Sequence, residues 1–363
     1  MIFNPFKLQT KGFGLDISDR SFKVLDLKKK RSGFKLKAYD TFNINSEIIQ
    51  KGELKNKRKL GSLLKENIKN IKGNKIKTDE VIVALPEEKS FLKVIKMPKM
   101  TKEELESAII YEAEEYIPMN IEDVYIDFKI IEPAYGKLDH VHVLLAALPK
   151  KSVNPYFKAV KKGGLKPIAF EIESLSICRA LMEKNKVIPP TLIIDLGLTK
   201  TSFIIYSGKS LRFTRTLPIS SQQFTDSIAQ KMNLDQEKAE KIKKKYGIKT
   251  SSKEGKKNKK AIKERLEALT NQTKEHINFY SSYDFGEHLP PNMKKEIKTI
   301  ILSGGGSTLK GLASFLEEKT DVSVEMGNPW INISKNPPMK IEKSIAYTSA
   351  LGLSLRNYIQ SND

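Results

Sequence analysis

A pattern of sixteen residues occurs twice in this chain, and a duplication of that kind dictates a molecule built in two matching parts. Residues 12–27 read GFGLDISDRSFKVLDL and residues 191–206 read TLIIDLGLTKTSFIIY. At an offset of 179, Asp16 falls on Asp195, Ser18 on Gly197 and Arg20 on Thr199. Each copy is an apolar strand ending in Asp, then a short turn of small and polar residues, then a second strand. A Gly-marked turn follows each, Ser32-Gly33 and Ser207-Gly208, with a third strand beyond it, FKLKAYDTF and SLRFTRTLP. Two β-meanders therefore open the two halves.

With 363 residues the chain is long enough for two separate cores. The remaining pattern is α/β. Leu60–Lys72 reads as a helix feeding the strand Val81–Leu85, which Pro86 ends. Between residues 87 and 149 lies an inserted α+β unit. It has a strand at Phe91–Met97, a helix opened by the capping box Thr101-x-x-Glu104, and strands at Val124–Ile131 and His140–Leu148. The inserted helix is expected to bury Leu105, Ile109, Ala113 and Tyr116. A helix after Pro155 is expected to end at Gly163-Gly164. Ile297–Leu302 is a β-branched strand running into Ser303-Gly304-Gly305-Gly306. The helix after it carries apolar residues at 309, 312, 313 and 316, and a last helix spans about Ser344–Tyr358.

Charge restricts the partners. The net charge is +21, and +10 of it lies in residues 241–265, where twelve Lys/Arg face two Glu. That segment has one aromatic, Tyr246, and lacks the stacking residues of a single-strand binder, so it reads as a solvated excursion and argues against nucleic acid. Contact with an acidic partner or an acidic membrane surface is the alternative left open. One cysteine, Cys178, excludes an internal disulfide and fits a reducing compartment. No apolar run reaches the ~18 residues of a membrane-spanning helix. Met1–Phe6 is too short for the apolar core of a signal peptide, so the protein is expected to stay inside the cell.

A strand–Asp–turn at the mouth of each half suits a phosphate chain held between them. The turns after Asp16 and Asp195 can aim N–H groups and hydroxyls at phosphate oxygens. The two carboxylates can hold hydrated Mg²⁺, which binds few carboxylates plus phosphate oxygens. Gly197 permits close backbone approach, and Gly304–Gly306 before a helix N-terminus would admit a flat adenosine and offer N–H groups. There is no P-loop or kinase signature. His140 and His142 share a strand face without a completing ligand set. Cys178 and Trp330 read as packed residues, and Arg356 as a surface or interlobe residue.

The blocks GLDISDRSFKVLDL, EAEEYIP (Glu112–Pro118), LIIDLGLTKTS (Leu192–Ser202), ILSGGGSTLKGLASFLEEKTDVSVEMGNPW (Ile301–Trp330) and AYTSALGLSLR (Ala346–Arg356), with the run Leu144–Leu181, occur in one order. In that order the chain resembles the actin-like ATPases and, among them, the PilM family of type IV pilus assembly, over essentially its whole length. The resemblance implies an actin-like, ribonuclease H-like duplicated fold. Lobe 1A would comprise residues 1–86, 150–189 and 345–363, and the inserted subdomain 1C residues 87–149. Lobe 2A would take residues 190–224 and 297–344, and lobe 2B residues 225–296.

The same resemblance implies ATP and Mg²⁺ between the lobes. Asp16, Ser18, Asp19 and Ser21 match the first phosphate loop, and Asp195, Gly197, Thr199 and Lys200 the second. Ser303 and Gly304–Gly306 match the adenosine motif, Glu240 and Lys243 the residues flanking ribose and base, and Glu173 the position that orients water. Asp16 and Asp195 would hold Mg²⁺ through water. The implied partner is the cytosolic N-terminal tail of a PilN-like inner-membrane protein, with other pilus components and copies of the chain itself as further partners. The place implied is the inner face of the cytoplasmic membrane. Ser18-Asp19 departs from the family's usual Gly-Ser/Thr, and Asp19 so placed would repel phosphate by about 1 kcal/mol at ~4 Å in water. Slow or undetectable ATP turnover is expected. An FtsA-like division tether and a same-fold phosphotransferase are the alternatives. The former would need a basic amphipathic tail that Leu355–Asp363 lacks, and the latter a positioned base that is not recognisable.

Overall fold

The computed structural model describes residues 12–30, 33–136, 138–249, 251–282, 289–333, 337–356 and 358. The expectations for Met1–Phe6, Ser32 and most of the tail after Leu355 lie outside the described residues.

Two sheets carry the duplication. In the first, Phe13–Ile17 pairs antiparallel with Ser21–Lys30, which pairs with Gly33–Asn43, while its other edge pairs parallel with Glu80–Leu85 and then Lys166–Ile172. In the second, Ile188–Leu196 pairs antiparallel with Thr201–Gly208 and then Ser210–Leu217, and parallel with Thr299–Ser303 and then Ser323–Met326. A meander joined to a parallel pair is thus built twice with the same order of strands. The register repeats too. Asp16 lies opposite Lys23 and Asp195 opposite Ser202, positions 179 apart in each case. Central strands buried on both faces read as continuous apolar runs, and Leu192–Ile194 are fully buried accordingly.

The inserted unit is a three-stranded antiparallel sheet, Phe91–Pro98, His140–Pro149 and Val124–Ile131 in spatial order. One face buries Leu105, Ile109 and Ala113 of the helix Lys102–Tyr116, whose N-terminus carries the expected capping box. The other face sets Ile131 and Leu144 against Ile177 and Leu181 of the helix Glu173–Leu181 and against Ile193 and Ile204 of the second sheet. Tyr116 is only half-buried.

Several local expectations are corrected. The helix Lys150–Lys162 begins five residues before Pro155, which sits inside it at the cost of one backbone hydrogen bond. It is Gly164, at φ +79°, that adopts the left-handed conformation, whereas Gly163 remains helical. Gly305–Thr308 is a single 3₁₀ turn, and the α-helix begins only at Leu312. The lysine-rich stretch is not a solvated excursion. It forms parts of the helices Gln236–Tyr246, Lys253–Ala261 and Lys263–Ser282, with Ala261, Ile262, Leu266 and Leu269 in the core.

The closing helix, Thr348–Arg356, lies between the strand Phe13–Ile17 and the helix Glu173–Leu181. Its small residues allow the approach: a Cβ at Gly352 would stand 1.8 Å from the Ser176 carbonyl oxygen, and one at Gly14 would stand 2.1 Å from that of Ala350. The Gly14 N–H donates to Ser354 Oγ at 3.1 Å. Arg356, expected at the surface or between the lobes, is buried against Glu171, which also accepts from Arg179 at 2.5 Å. Trp330 is fully buried with Leu25 and Leu27, and burial pushes the Cys178 thiol upward, so both are packed residues.

Candidate functional site

The two hairpin turns are closed identically. The N–H of Ser18 donates to the carbonyl of Ser21, and that of Gly197 to the carbonyl of Lys200, at 2.9 Å in both. In the first turn the Ser18 hydroxyl also donates to the Ser21 carbonyl at 2.9 Å. In the second, a Cβ at Gly197 would stand 2.9 Å from the Lys200 oxygen, a crowding that glycine avoids there.

The strands ending in these turns bring their aspartates into one cluster of charge. Lys23 Nζ stands 3.1 Å from Asp16 Oδ2. Burial works against the Lys23 proton, but Asp16 first, then Glu173 and Asp195, hold it more tightly than usual. The other oxygen of Asp16, Oδ1, is buried without a hydrogen-bond partner among the described residues. Burial raises the Asp195 carboxyl, and the charge of Asp16 adds to that. Ser303, its register partner across the parallel pair, acts in the opposite sense, although its hydroxyl makes no hydrogen bond of ordinary geometry.

Glu173 opens the helix Glu173–Leu181 beside this pair. Burial pushes its carboxyl up to about 8, opposed by Lys200 and reinforced by Asp16 and Asp195. Lys200 Nζ bridges Glu173 Oε2 at 3.0 Å and Glu88 Oε2 at 3.1 Å, and the two carboxylates raise its proton affinity despite burial. A second link between the halves runs from Thr214, whose hydroxyl donates to Glu87 Oε1 at 2.5 Å. Glu87 is raised by burial, and its Oε2 has no partner among the described residues.

The remaining predicted residues divide into two groups. Gly304, at φ +81°, and Gly306 press against the end of the second hairpin: a Cβ on Gly304 would lie 2.5 Å from Leu196 O and one on Gly306 2.7 Å from Leu196 Cγ. Gly305 is exposed, with only Ala346 Cβ nearby at 3.9 Å. Glu240 and Lys243 reach the same corner through Ser221, whose N–H donates to the Gly197 carbonyl at 3.0 Å. Lys243 Nζ donates to Ser221 O and Oγ at 2.9 Å and to Thr225 Oγ1 at 2.7 Å, and pairs with Glu240 at 2.7 Å. Burial lowers its proton affinity. Glu240 is opposed by burial but held down at about 2 by Lys243, Thr225 and Lys244. Thr199 is half-buried at the second turn.

Asp19 departs from expectation. Its oxygens accept from the N–H groups of Lys51 and Gly52, at 2.9 Å each, so the carboxylate braces the small hairpin Ile49–Leu54. Both of its oxygens are thus turned to the amides of that hairpin. Sequence reasoning missed Lys23, Glu87, Glu88 and Ser221. Lys23 was reachable, because a closed hairpin places it opposite Asp16, whereas the others depend on contacts between distant segments.

Chemically, four carboxylates, Asp16, Asp195, Glu173 and Glu88, crowd around the ammonium groups of Lys23 and Lys200, and Asp16 Oδ1 lacks a partner among the described residues. No group of three His, Cys, Asp or Glu among the described residues is arranged to hold a metal unaided. A divalent ion here would need oxygens from a ligand such as phosphate, which is the habit of Mg²⁺. The donor set therefore fits a Mg²⁺–phosphate ligand better than a bare ion.

The family model for type IV pilus assembly protein PilM matches residues 14–358. The solved PilM-PilN type IV pilus biogenesis complex includes a chain 26% identical to this one, with a TM-score of 0.78, covering 96% of this chain and 98% of that chain. MreB5 of Spiroplasma citri bound to AMPPNP is 13% identical over 93% of each chain, with a TM-score of 0.53, a likeness of fold. The cell division protein FtsA of Neisseria meningitidis serogroup B is 23% identical over 203 residues, 52% of this chain and 48% of the relative. The chain thus spans about half the length of that curated relative. The fold is actin-like, with the meander-plus-parallel-pair sheet present twice. The chain belongs to the PilM family of type IV pilus assembly proteins.

Proposed function

We propose that this chain is an ATP-binding scaffold of type IV pilus assembly, or of a related secretion or competence machine, at the inner face of the cytoplasmic membrane. It docks the cytosolic N-terminal tail of a PilN-like membrane protein. The observation that carries the nucleotide part is the convergence of two identically closed hairpin turns on one buried cluster, in which Asp16 keeps an unpartnered oxygen. The partner part rests on the likeness to the PilM of the PilM-PilN complex. No helix among the described residues is long and apolar enough to cross a membrane, so attachment through a partner suits the chain.

In this reading Asp16 and Asp195 would hold Mg²⁺ through water, and the two turns would offer N–H groups and hydroxyls to the phosphates. Lys23 and Lys200 supply compensating charge, and the open side of Gly305 leaves room for the adenosine. Lys243 is saturated by Ser221, Thr225 and Glu240, so it holds the corner in shape, while a ribose hydroxyl would meet Glu240 at Oε1, now paired with Lys244 at 3.1 Å. The Lys200 ammonium, 3.0 Å from Glu173 Oε2, occupies that oxygen and makes Glu173 a poor acceptor for a proton from water. ATP turnover is accordingly slow. When bound, Mg²⁺-ATP supplies charge that bridges the halves and favours their closed arrangement, provided that arrangement binds it better.

Isothermal titration calorimetry with Mg²⁺-ATP tests the site. Binding should be measurable in the wild type and weakened at least about tenfold, ~1.4 kcal/mol, by Asp195→Ala. Titrating the PilN-like tail peptide with and without Mg²⁺-ATP then tests the coupling. Equal peptide affinities would remove the nucleotide from the mechanism, and absence of peptide binding would remove the partner.

A further inference from the structure

The turn that roots the inserted unit is tied to both hairpin turns of the cleft. Glu87–Lys89 is a single 3₁₀ turn between the strand Glu80–Leu85 of the first sheet and the strand Phe91–Pro98 of the inserted one. The Ser90 N–H closes it on the Glu87 carbonyl at 2.9 Å. From this turn Glu88 reaches the second half, where its Oε2 lies 3.1 Å from Lys200 Nζ. The same oxygen packs against the small hairpin of the first half: at Gly52, with φ +71°, an added Cβ would stand 2.8 Å from it. The Gly52 N–H donates to Asp19 Oδ1 at 2.9 Å, and its carbonyl accepts from the Tyr156 hydroxyl at 3.2 Å. Glu88 is therefore walled by backbone that the first turn holds in place, and it is paired with a cation of the second.

Lys200 is shared between two carboxylates, Glu88 and Glu173 at 3.0 Å, and it also acts on the Asp195 carboxyl. An ammonium held in this way is already neutralised, so a phosphate can claim it only by displacing a carboxylate. The two holds are unequal. The Glu88 side chain is 23% exposed against 13% for Glu173, so water takes over Glu88 more readily once the pair is broken. The flexible four-carbon stem of a lysine lets its ammonium exchange one partner for another without moving the backbone. Release of Glu88 leaves its turn tied to the second half through Glu87, which accepts from the Thr214 hydroxyl.

We infer that Glu88 competes with a bound phosphate for Lys200, and that freeing Glu88 reports an occupied cleft to the root of the inserted unit. The inference rests on the nucleotide reading of the cleft. It adds a residue that weakens binding and a route by which occupancy reaches the inserted sheet. The two states differ in one ion pair, Lys200 on Glu88 in the empty cleft and Lys200 on phosphate in the filled one, which is the differential contact that any such coupling requires.

Calorimetry and hydrogen exchange on the full chain test it. Glu88→Gln should bind Mg²⁺-ATP more tightly than the wild type, by at least about threefold, the scale of a partly exposed ion pair. In a Lys200→Met background the same substitution should bring no further tightening, because Lys200 carries the effect. Tightening of equal size in both backgrounds would mean that Glu88 merely repels phosphate, and it would overturn the inference. Saturating Mg²⁺-ATP should speed hydrogen exchange over residues 87–98 of the wild type. In Glu88→Gln that exchange should already be fast without ligand and change little with it. Exchange over 87–98 that is the same in empty and saturated wild type would overturn the relay, and circular dichroism checks that each variant folds. Wild-type binding that Glu88→Gln leaves unaltered would remove the competition alone. If neither protein bound Mg²⁺-ATP, the nucleotide reading itself would fall, and this inference with it.

Discussion

Glu173 shows how a single side chain can tie the cleft to pH. Its carboxyl is raised by burial and by Asp16 and Asp195, to about 8 in the folded chain against 4.5 ordinarily. A raised carboxyl binds its proton more tightly when folded, so stability is fully present below the ordinary value and declines as pH rises toward 8. Glu173→Gln should therefore flatten the fall in urea midpoint between about pH 5 and pH 8, and an unchanged slope would contradict the assignment. Asp19 makes a separate prediction. Asp19→Ala removes two acceptors from the Lys51 and Gly52 amides and should cost about 1 kcal/mol by urea denaturation, with faster hydrogen exchange at those two amides. At this scale the aspartates were legible because a repeat marks them twice. Lys23 was legible in principle from hairpin register alone. The Lys200 bridge to Glu88 was not, since 112 residues separate its ends and no local pattern records that contact.

Helices and strands with local signals were read well. The capping box at Thr101 and the strand Val124–Ile131 sit where the sequence puts them, because caps and alternation act over a few residues. Thr101→Ala should lower stability by about 1 kcal/mol. Elements governed by distant packing were read less well. The lysine-rich helices look solvated from composition, yet they place one apolar residue after another, from Ala261 to Leu269, against the second sheet. The closing helix gives the sharpest case. Glycine inside a helix ordinarily costs ~1 kcal/mol relative to alanine, so Gly352→Ala would stabilise an isolated helix. Here the added carbon would stand 1.8 Å from the Ser176 carbonyl, and overpacking of that kind costs about 1–3 kcal/mol or more. A net loss of about 2 kcal/mol is expected in chemical denaturation, and a gain would show that the two helices can separate freely.

Across the described residues, the polar links that join the halves include Lys200 to Glu88 and Glu173, Thr214 to Glu87, Lys209 to Glu132, and Asn332 to the backbone of Arg179, Met182 and Lys184, beside the apolar bridge through the inserted sheet. A ligand that binds only the folded chain stabilises it by ~2.7 kcal/mol at about 100 times its Kd. Mg²⁺-ATP should accordingly raise the melting temperature, and Lys200→Met should reduce that rise by loosening the halves and removing charge from the cleft. An identical rise in both proteins would detach Lys200 from the site. The closing helix has one more consequence, for synthesis. The first sheet is translated early, yet the flank of Phe13–Ile17 stays bare until residues 348–356 arrive to cover it, with Ser354 hydrogen-bonded to Gly14 and Leu25. A growing polypeptide must therefore carry an unfinished amino-terminal half through nearly all of its translation, and a message cut short before codon 348 yields a product whose earliest-made sheet never acquires its cover.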